Sequence, residues 1–151
     1  MINTWANNRI DDFRTNYERM GLKASGNWGR ELEFKKEETD SKLNIKFYAP
    51  AYTEQLVKGR RPNKNQTKDG LKAWVGWAGS TFLKDWVKQK NINANPFAVA
   101  WKIAREGWKI PNDHNSGKLL ADVLSFNKVK ELAQIIGANI EEGLRTEILK
   151  K

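Results

Sequence analysis

FYAPAYTEQLVKGRRPNKNQTK, residues 47–68, is the stretch in which an apolar run gives way to a basic loop punctuated by glycine. Phe47, Tyr48, Ala49, Ala51 and Tyr52 read as the end of a strand. Pro50 bars a central ladder position there, because it has no N–H to donate. Thr53 to Lys58 is short and polar on one side. Gly59 then supplies backbone freedom at a turn, and Pro62 fixes its own φ and drives Arg61 towards an extended conformation. Arg60 and Arg61 are therefore expected to stand out from the body.

Upstream, the apolar side chains follow two periods. Trp5, Ile10, Phe13, Tyr17 and Met20 recur at helical spacing, which predicts an N-terminal helix over residues 4–21, capped by Asn3 or Thr4 and ended by Gly21. After Ala24–Asn27, Trp28, Leu32 and Phe34 alternate with Glu31, Glu33 and Lys35, the pattern of a half-buried strand. Leu43, Ile45 and Phe47 mirror it, so Lys36–Lys42 is expected as the polar tip of a hairpin carrying Glu37, Glu38 and Asp40.

Downstream, helical spacing dominates. Leu71, Trp74, Val75, Ala78, Phe82 and Trp86 predict one core helix over residues 71–88, capped by Thr67 or Asp69, with Trp77 off the stripe and so at the surface or an interface. Gly76 and Gly79 weaken that helix, or else permit the close approach of another backbone. Asn95-Pro96 is a helix start, Phe97, Ala100, Trp101 and Ala104 line one face, and Gly107 closes it. The region from Lys118 onward reads as helical with a break near Ser125, beyond which runs an apolar series of Val129, Leu132, Ala133, Ile136, Ile140 and Leu144. The expected fold is α+β: a small antiparallel sheet, made of a hairpin plus an edge strand, packed with an N-terminal helix, two central helices and a C-terminal helix in one domain over residues 1–151.

Composition narrows the function. The chain has 151 residues, no Cys, seven Trp, and 27 basic against 18 acidic side chains. The +9 surplus draws nucleic acid, acidic protein surfaces or anionic membranes. No apolar run approaches the roughly 20 residues that span a bilayer, and MINTWANNRIDDF lacks the layout of a signal peptide, so a cytoplasmic site of synthesis and no membrane partner are expected. Phosphate-binding loops, nucleophile elbows and paired metal ligands are missing from the sequence. His114, the only histidine, has no second ligand in view. No enzymatic activity, cofactor or metal is expected.

One functional signal remains. Six basic residues, Lys58, Arg60, Arg61, Lys64, Lys68 and Lys72, face one acid, Asp69, so five of the nine surplus charges sit in fifteen residues. Such a cluster is a solvated loop, a contact to acidic neighbours, or a contact to DNA phosphates that confers affinity without sequence choice.

The segment YAPAYTEQLVKGRRPNKN resembles the Y-A-x-Y-x-x-x-x-x-x-G-R-R-P-G-K signature of head-tail joining and tail completion proteins of tailed bacteriophages, with Asn63 where that family has Gly. Asn tolerates a left-handed turn best after Gly. Ala24-Ser25-Gly26-Asn27-Trp28, Trp86–Lys90 and Phe97–Trp108 are similar to further segments of the same family. The resemblance implies a virion protein of the neck or tail, made in the host cytoplasm, which forms a homo-oligomeric ring among portal, adaptor and tail proteins around the DNA channel, with nonspecific contact to the genome possible there. On that reading Lys58, Gly59, Arg60, Arg61, Pro62, Lys64 and Lys68 form an assembly or DNA-facing loop. Glu37, Glu38 and Asp40 are a complementary acidic face, and Trp77 is an interface aromatic. The alternative is a small basic protein that binds nucleic acid through phosphate contacts and stacking.

Overall fold

The computed structural model describes residues 1–22, 26–39, 42–113 and 115–149, the last three by backbone alone. Its fold is α+β and mostly helical. The elements, in order, are α1 (Ile2–Arg19), α2 (Asn27–Arg30), β1 (Glu33–Thr39), β2 (Lys42–Tyr48), α3 (Thr53–Lys58), β3 (Gly59–Arg60), α4 (Lys68–Ser80), α5 (Phe82–Gln89), α6 (Pro96–Glu106), β4 (Trp108–Lys109) and α7 (Phe126–Leu149). Two antiparallel pairs, β1 with β2 and β3 with β4, make two separate two-stranded sheets.

The apolar residues divide into two clusters. In the first, Ile10, Phe13 and Tyr17 of α1 pack with Trp28, Leu32, Leu119 and Val123. Trp28 is wholly buried. Its ring stacks on Tyr17 at 4.7 Å, and its Nε1–H donates to Thr53 Oγ1 at 2.7 Å, so its one polar atom is satisfied in the core. At the end of α1, Gly21 N–H donates to Glu18 O and Leu22 N–H to Tyr17 O, with Gly21 at φ +66. This pattern satisfies the last carbonyls and folds Leu22 back onto the cluster. Helix α1 starts earlier than the sequence suggests, with Met1 at the cap position and no side-chain cap from Asn3 or Thr4.

The hairpin runs in the register Phe34 opposite Phe47 and Thr39 opposite Lys42. The strands therefore extend through most of Lys36–Lys42, where the sequence predicts a polar tip. Trp28 lies in the single turn α2 rather than in the first strand, and the hairpin gains no edge strand among the described residues: the chain after Pro50 enters α3 and pairs only later, in β3.

In the second cluster, Leu71, Val75, Ala78, Leu83, Ala100, Ile103 and Ala104 pack α4, α5 and α6 together. Thr67 caps α4 by accepting from Gly70 N–H, and Asn95 caps α6 by accepting from Phe97 N–H, with Pro96 at the first position. Both caps agree with the sequence reading. The single helix expected over 71–88 is instead two, broken at Thr81 (φ −105, ψ −109). Ser80 Oγ donates to Gly76 O and Thr81 Oγ1 donates to Trp77 O, each at 2.6 Å. Two successive hydroxyls thus compete with the backbone for the same carbonyls. The break changes the helical phase of α5 relative to α4. Phe82 turns outward, 48% exposed, and Leu83 takes the core position at 2%. Phe97, expected on the buried face of α6, is also 44% exposed. Its ring lies where a Cβ at Gly79 would be, so Gly79 admits a side chain rather than a backbone.

Candidate functional site

The basic loop between Lys58 and Lys68 is built onto the C-terminal end of α6. Gly59 and Arg60 pair with Lys109 and Trp108. A Cβ at Gly59 would collide with the Trp108 carbonyl, and one at Gly107 with the Arg60 carbonyl and Pro62; both glycines also have positive φ. Close approach and backbone conformation together require glycine at these two positions. Asn63 N–H then donates to Ala104 O at 2.8 Å, and Gln66 Nε2 donates to the same oxygen at 3.1 Å. The loop thereby satisfies the Ala104 carbonyl, which the end of α6 leaves without a helical partner.

Arg60 does not stand out from the body. Its guanidinium lies over the Trp74 ring, 4.1 Å from the centroid, and donates to Asn63 Oδ1 at 2.5 Å and to Arg61 O at 3.3 Å. Burial lowers its pKa from the ordinary arginine value. A flat cation above an aromatic face is a packing element, held by attraction to the ring quadrupole. Asn63 is not left-handed either, since Asn91 is the one non-glycine residue of positive φ among those described. Asn63 serves through its amide groups.

The remaining cations of the loop behave differently. Lys58 pairs with Glu54 at 3.1 Å on the surface. Arg61, Lys64 and Lys68 are exposed and make no ion pair with a described residue. The loop thus alternates inward and outward: Gly59, Arg60 and Asn63 are fixed to the body, while Arg61, Pro62, Lys64 and Lys68 face solvent.

The expected acidic face is largely neutralised at its source. Glu37 accepts from Lys46 at 2.7 Å and Glu38 from Lys36 at 2.6 Å, both within the hairpin. The hydrogen bond to Glu37 raises the Lys46 pKa above the ordinary lysine value. Asp40 lies outside the described residues, as does His114. Trp77 is at the surface as expected, 56% exposed, and meets Phe82 edge-on at 5.5 Å.

Two surface features lie beyond the basic loop, the hairpin tip and Trp77. All of the net charge maps to one region: Lys58 to Lys109 holds twelve basic and three acidic residues, and the rest of the chain holds fifteen of each. This region coincides with α4 to α6 and the two short strands that clamp them. The apolar series of α7 is also uncovered in part, Leu132 and Ile136 being half-buried. Val129, Ile140 and Leu144 are each more than half exposed, and Phe126 is 81% exposed. Counting charge by segment would have found the first feature; the second needs the fold, because helical spacing alone does not say whether a face is covered. No acid or histidine cluster able to hold a metal occurs among the described residues, and no described helix is long and apolar enough to cross a membrane. No protein-family model, curated protein or solved structure matches the chain.

Proposed function

We propose that the protein is a structural component of a tailed-bacteriophage neck or tail, made in the host cytoplasm, whose copies assemble into a ring between portal and tail around the DNA channel. The proposal assigns it no covalent chemistry and no cofactor. The phage part of the reading rests on the resemblance of residues 48–65 to that family, and the observation that supports assembly is the presence of large apolar side chains, uncovered, on two unlike faces: Trp77 and Phe82 on one, Val129, Ile140 and Leu144 on the other. Exposed apolar area of this kind is a mark of protein contact. A ring closes through contacts between two different patches of each copy. Arg61, Lys64 and Lys68 supply a cationic edge for acidic neighbours or for DNA in transit. Sedimentation velocity of the purified chain over a concentration series tests the reading. A discrete species larger than a dimer is expected, and a monomer throughout would sink it.

A second reading, nonspecific nucleic-acid binding, is favoured by the confinement of the whole surplus of nine charges to Lys58–Lys109. It requires the monomer to bind duplex or single-stranded DNA with affinity that falls steeply as salt rises. A gel-shift series in rising salt separates the two readings: weak binding or none, alongside assembly, favours the ring.

A further inference from the structure

The outward cations of the loop belong to a larger surface, which β4 and the end of α6 complete. In the β3–β4 pair Gly59 stands opposite Lys109 and Arg60 opposite Trp108, and side chains leave a strand on alternate faces. Arg60 and Trp108 share the face turned to the body, where Arg60 lies over Trp74 and Trp108 meets Trp86 edge-on at 5.9 Å. Lys109 leaves on the other face, and the same alternation sends Arg61 there; both are exposed. Lys64 and Arg105 adjoin this surface through the hydrogen bond from Asn63 N–H to Ala104 O at 2.8 Å. Each follows one of the bonded residues in the chain, so their Cα atoms lie within about 11 Å of one another. Lys102, one turn before Arg105 on α6, is exposed as well.

The chain does not answer the charge of this surface itself. Residues 61–68 and 102–109 hold six cations, Arg61, Lys64, Lys68, Lys102, Arg105 and Lys109, and one acid, Glu106; Asp69 follows in the first turn of α4. None of the six forms an ion pair with a described residue, whereas Lys36, Lys46 and Lys58 each do. At separations comparable to the Debye length of about 8 Å such cations repel one another, and a polyanion laid across them removes the repulsion. The surface also lacks the apolar centre of a protein contact or a membrane anchor, since no large hydrophobic side chain of residues 61–68 or 102–109 is exposed. It is polar, strongly cationic and backed by a fixed main chain, which is the make-up of a nucleic-acid contact. With no exposed aromatic ring on which bases could stack, it suits the backbone of a duplex rather than a single strand.

We propose that Arg61, Lys64, Lys102, Arg105 and Lys109, with Lys68 at the border, hold the phosphate backbone of duplex DNA without reading its sequence. The inference rests on the nucleic-acid reading above and names its contact. Arg60 takes no part, because its guanidinium is committed to Trp74 and Asn63. Lys84 and Lys88 take none either: they ride on α5, whose Trp86 meets Trp108 on the face of the ladder away from Lys109.

Fluorescence anisotropy of a short labelled duplex, titrated with the full chain at salt concentrations from about 50 to 200 mM, tests this. Arg61→Ala, Lys64→Ala, Arg105→Ala and Lys109→Ala are each expected to weaken binding about threefold to tenfold at low salt, and to make the plot of log K against log[salt] shallower by about 0.9. The four combined are expected to reduce that slope by about 3–4. Lys84→Ala with Lys88→Ala removes two charges of the same surplus and is expected to change the affinity by less than about twofold. Two duplexes of unrelated sequence are expected to bind alike, and poly-L-glutamate is expected to compete far less well than unlabelled duplex at equal charge. Sedimentation velocity on the same samples reads assembly separately.

Single variants that bind like the wild type would overturn this surface and leave the nucleic-acid reading standing, as would a loss in the α5 pair equal to that of any two surface variants. Poly-L-glutamate competing as well as duplex would assign the surface to an acidic protein and overturn the proposal. If the combined variant unfolds by circular dichroism, the single variants decide, and Arg61→Lys and Arg105→Lys are expected to keep most of the affinity, because the contact needs charge alone. A wild type with no salt-dependent binding at low salt removes the nucleic-acid reading and this contact together, whatever its state of assembly.

Discussion

The two apolar clusters solve the same packing problem with different materials. Around Trp28 the chain buries large side chains, Phe13, Tyr17 and Leu119 among them, and the residues outside Lys58–Lys109 balance their charges. Around Ala104 the fully buried positions include Ala78 and Ala100, and Gly79 accepts the Phe97 ring. Small residues let α4 and α6 approach closely, and the bulky rings are displaced outward. Trp74, Trp86, Trp101 and Trp108 are therefore only partly buried around the second cluster, and Trp77 is mostly exposed. The first cluster spends its aromatics on stability; the second leaves them where another molecule, or an arginine of the same chain, can use them.

The largest expected effect that separates the clusters comes from truncating one tryptophan in each. Trp28→Ala removes a fully buried ring, its stack on Tyr17 and a hydrogen bond to Thr53, and is expected to cost about 3–5 kcal/mol. Trp74→Ala removes a half-buried ring and the seat of Arg60, and a loss of about 2–3 kcal/mol is expected, scaled down for partial exposure. Urea denaturation of both variants measures the difference. Equal losses would mean that the second cluster depends on its peripheral rings as much as the first depends on its centre.

Glycine substitutions give a smaller effect and a change of sign. Gly107→Ala puts a Cβ against the Arg60 carbonyl at a backbone φ of +76, and a loss of about 1–3 kcal/mol is expected as the loop lifts from the end of α6. Gly76→Ala meets open space in the middle of α4 and is expected to stabilise the chain by up to about 1 kcal/mol. Melting temperatures of the two variants should move in opposite directions. If both fall, the outer face of α4 is more crowded in solution than its geometry allows.

The same contrast explains what could be read in advance. The caps at Thr67 and Asn95, the closing role of Gly107 and the exposure of Trp77 all come from local rules about a few neighbouring residues, and each holds in the fold. The break at Thr81 is also written locally, in Ser80-Thr81 after Gly79, but the continuous apolar spacing through Phe82 and Trp86 conceals it. The expected edge strand fails for a nonlocal reason. Gly59 and Arg60 find their partner fifty residues downstream, in Trp108 and Lys109, and no period in either segment announces that pairing. Likewise Arg60 and Arg61 are indistinguishable by composition. Their separation into a packed and an exposed arginine depends on where Trp74 lies, which only the assembled helices decide.

That separation yields the finest test. Arg60→Ala removes the cation above Trp74 and the donor to Asn63 Oδ1, and is expected to cost about 1–2 kcal/mol. Arg61→Ala, at an exposed position with no ion pair to a described residue, is expected to change stability by less than about 0.5 kcal/mol. Binding should reverse the ranking: any affinity of the loop for an acidic surface or for DNA is expected to fall in Arg61→Ala by an amount that shrinks as salt rises, since the contact is solvent-exposed and screened. Arg60→Lys sharpens the point. A lysine keeps the charge but lacks the flat guanidinium that stacks on the indole, so most of the stability loss should remain even though the net charge is unchanged. If Arg60→Lys is as stable as the wild type, charge rather than shape holds the loop, and the two arginines differ less than their positions imply.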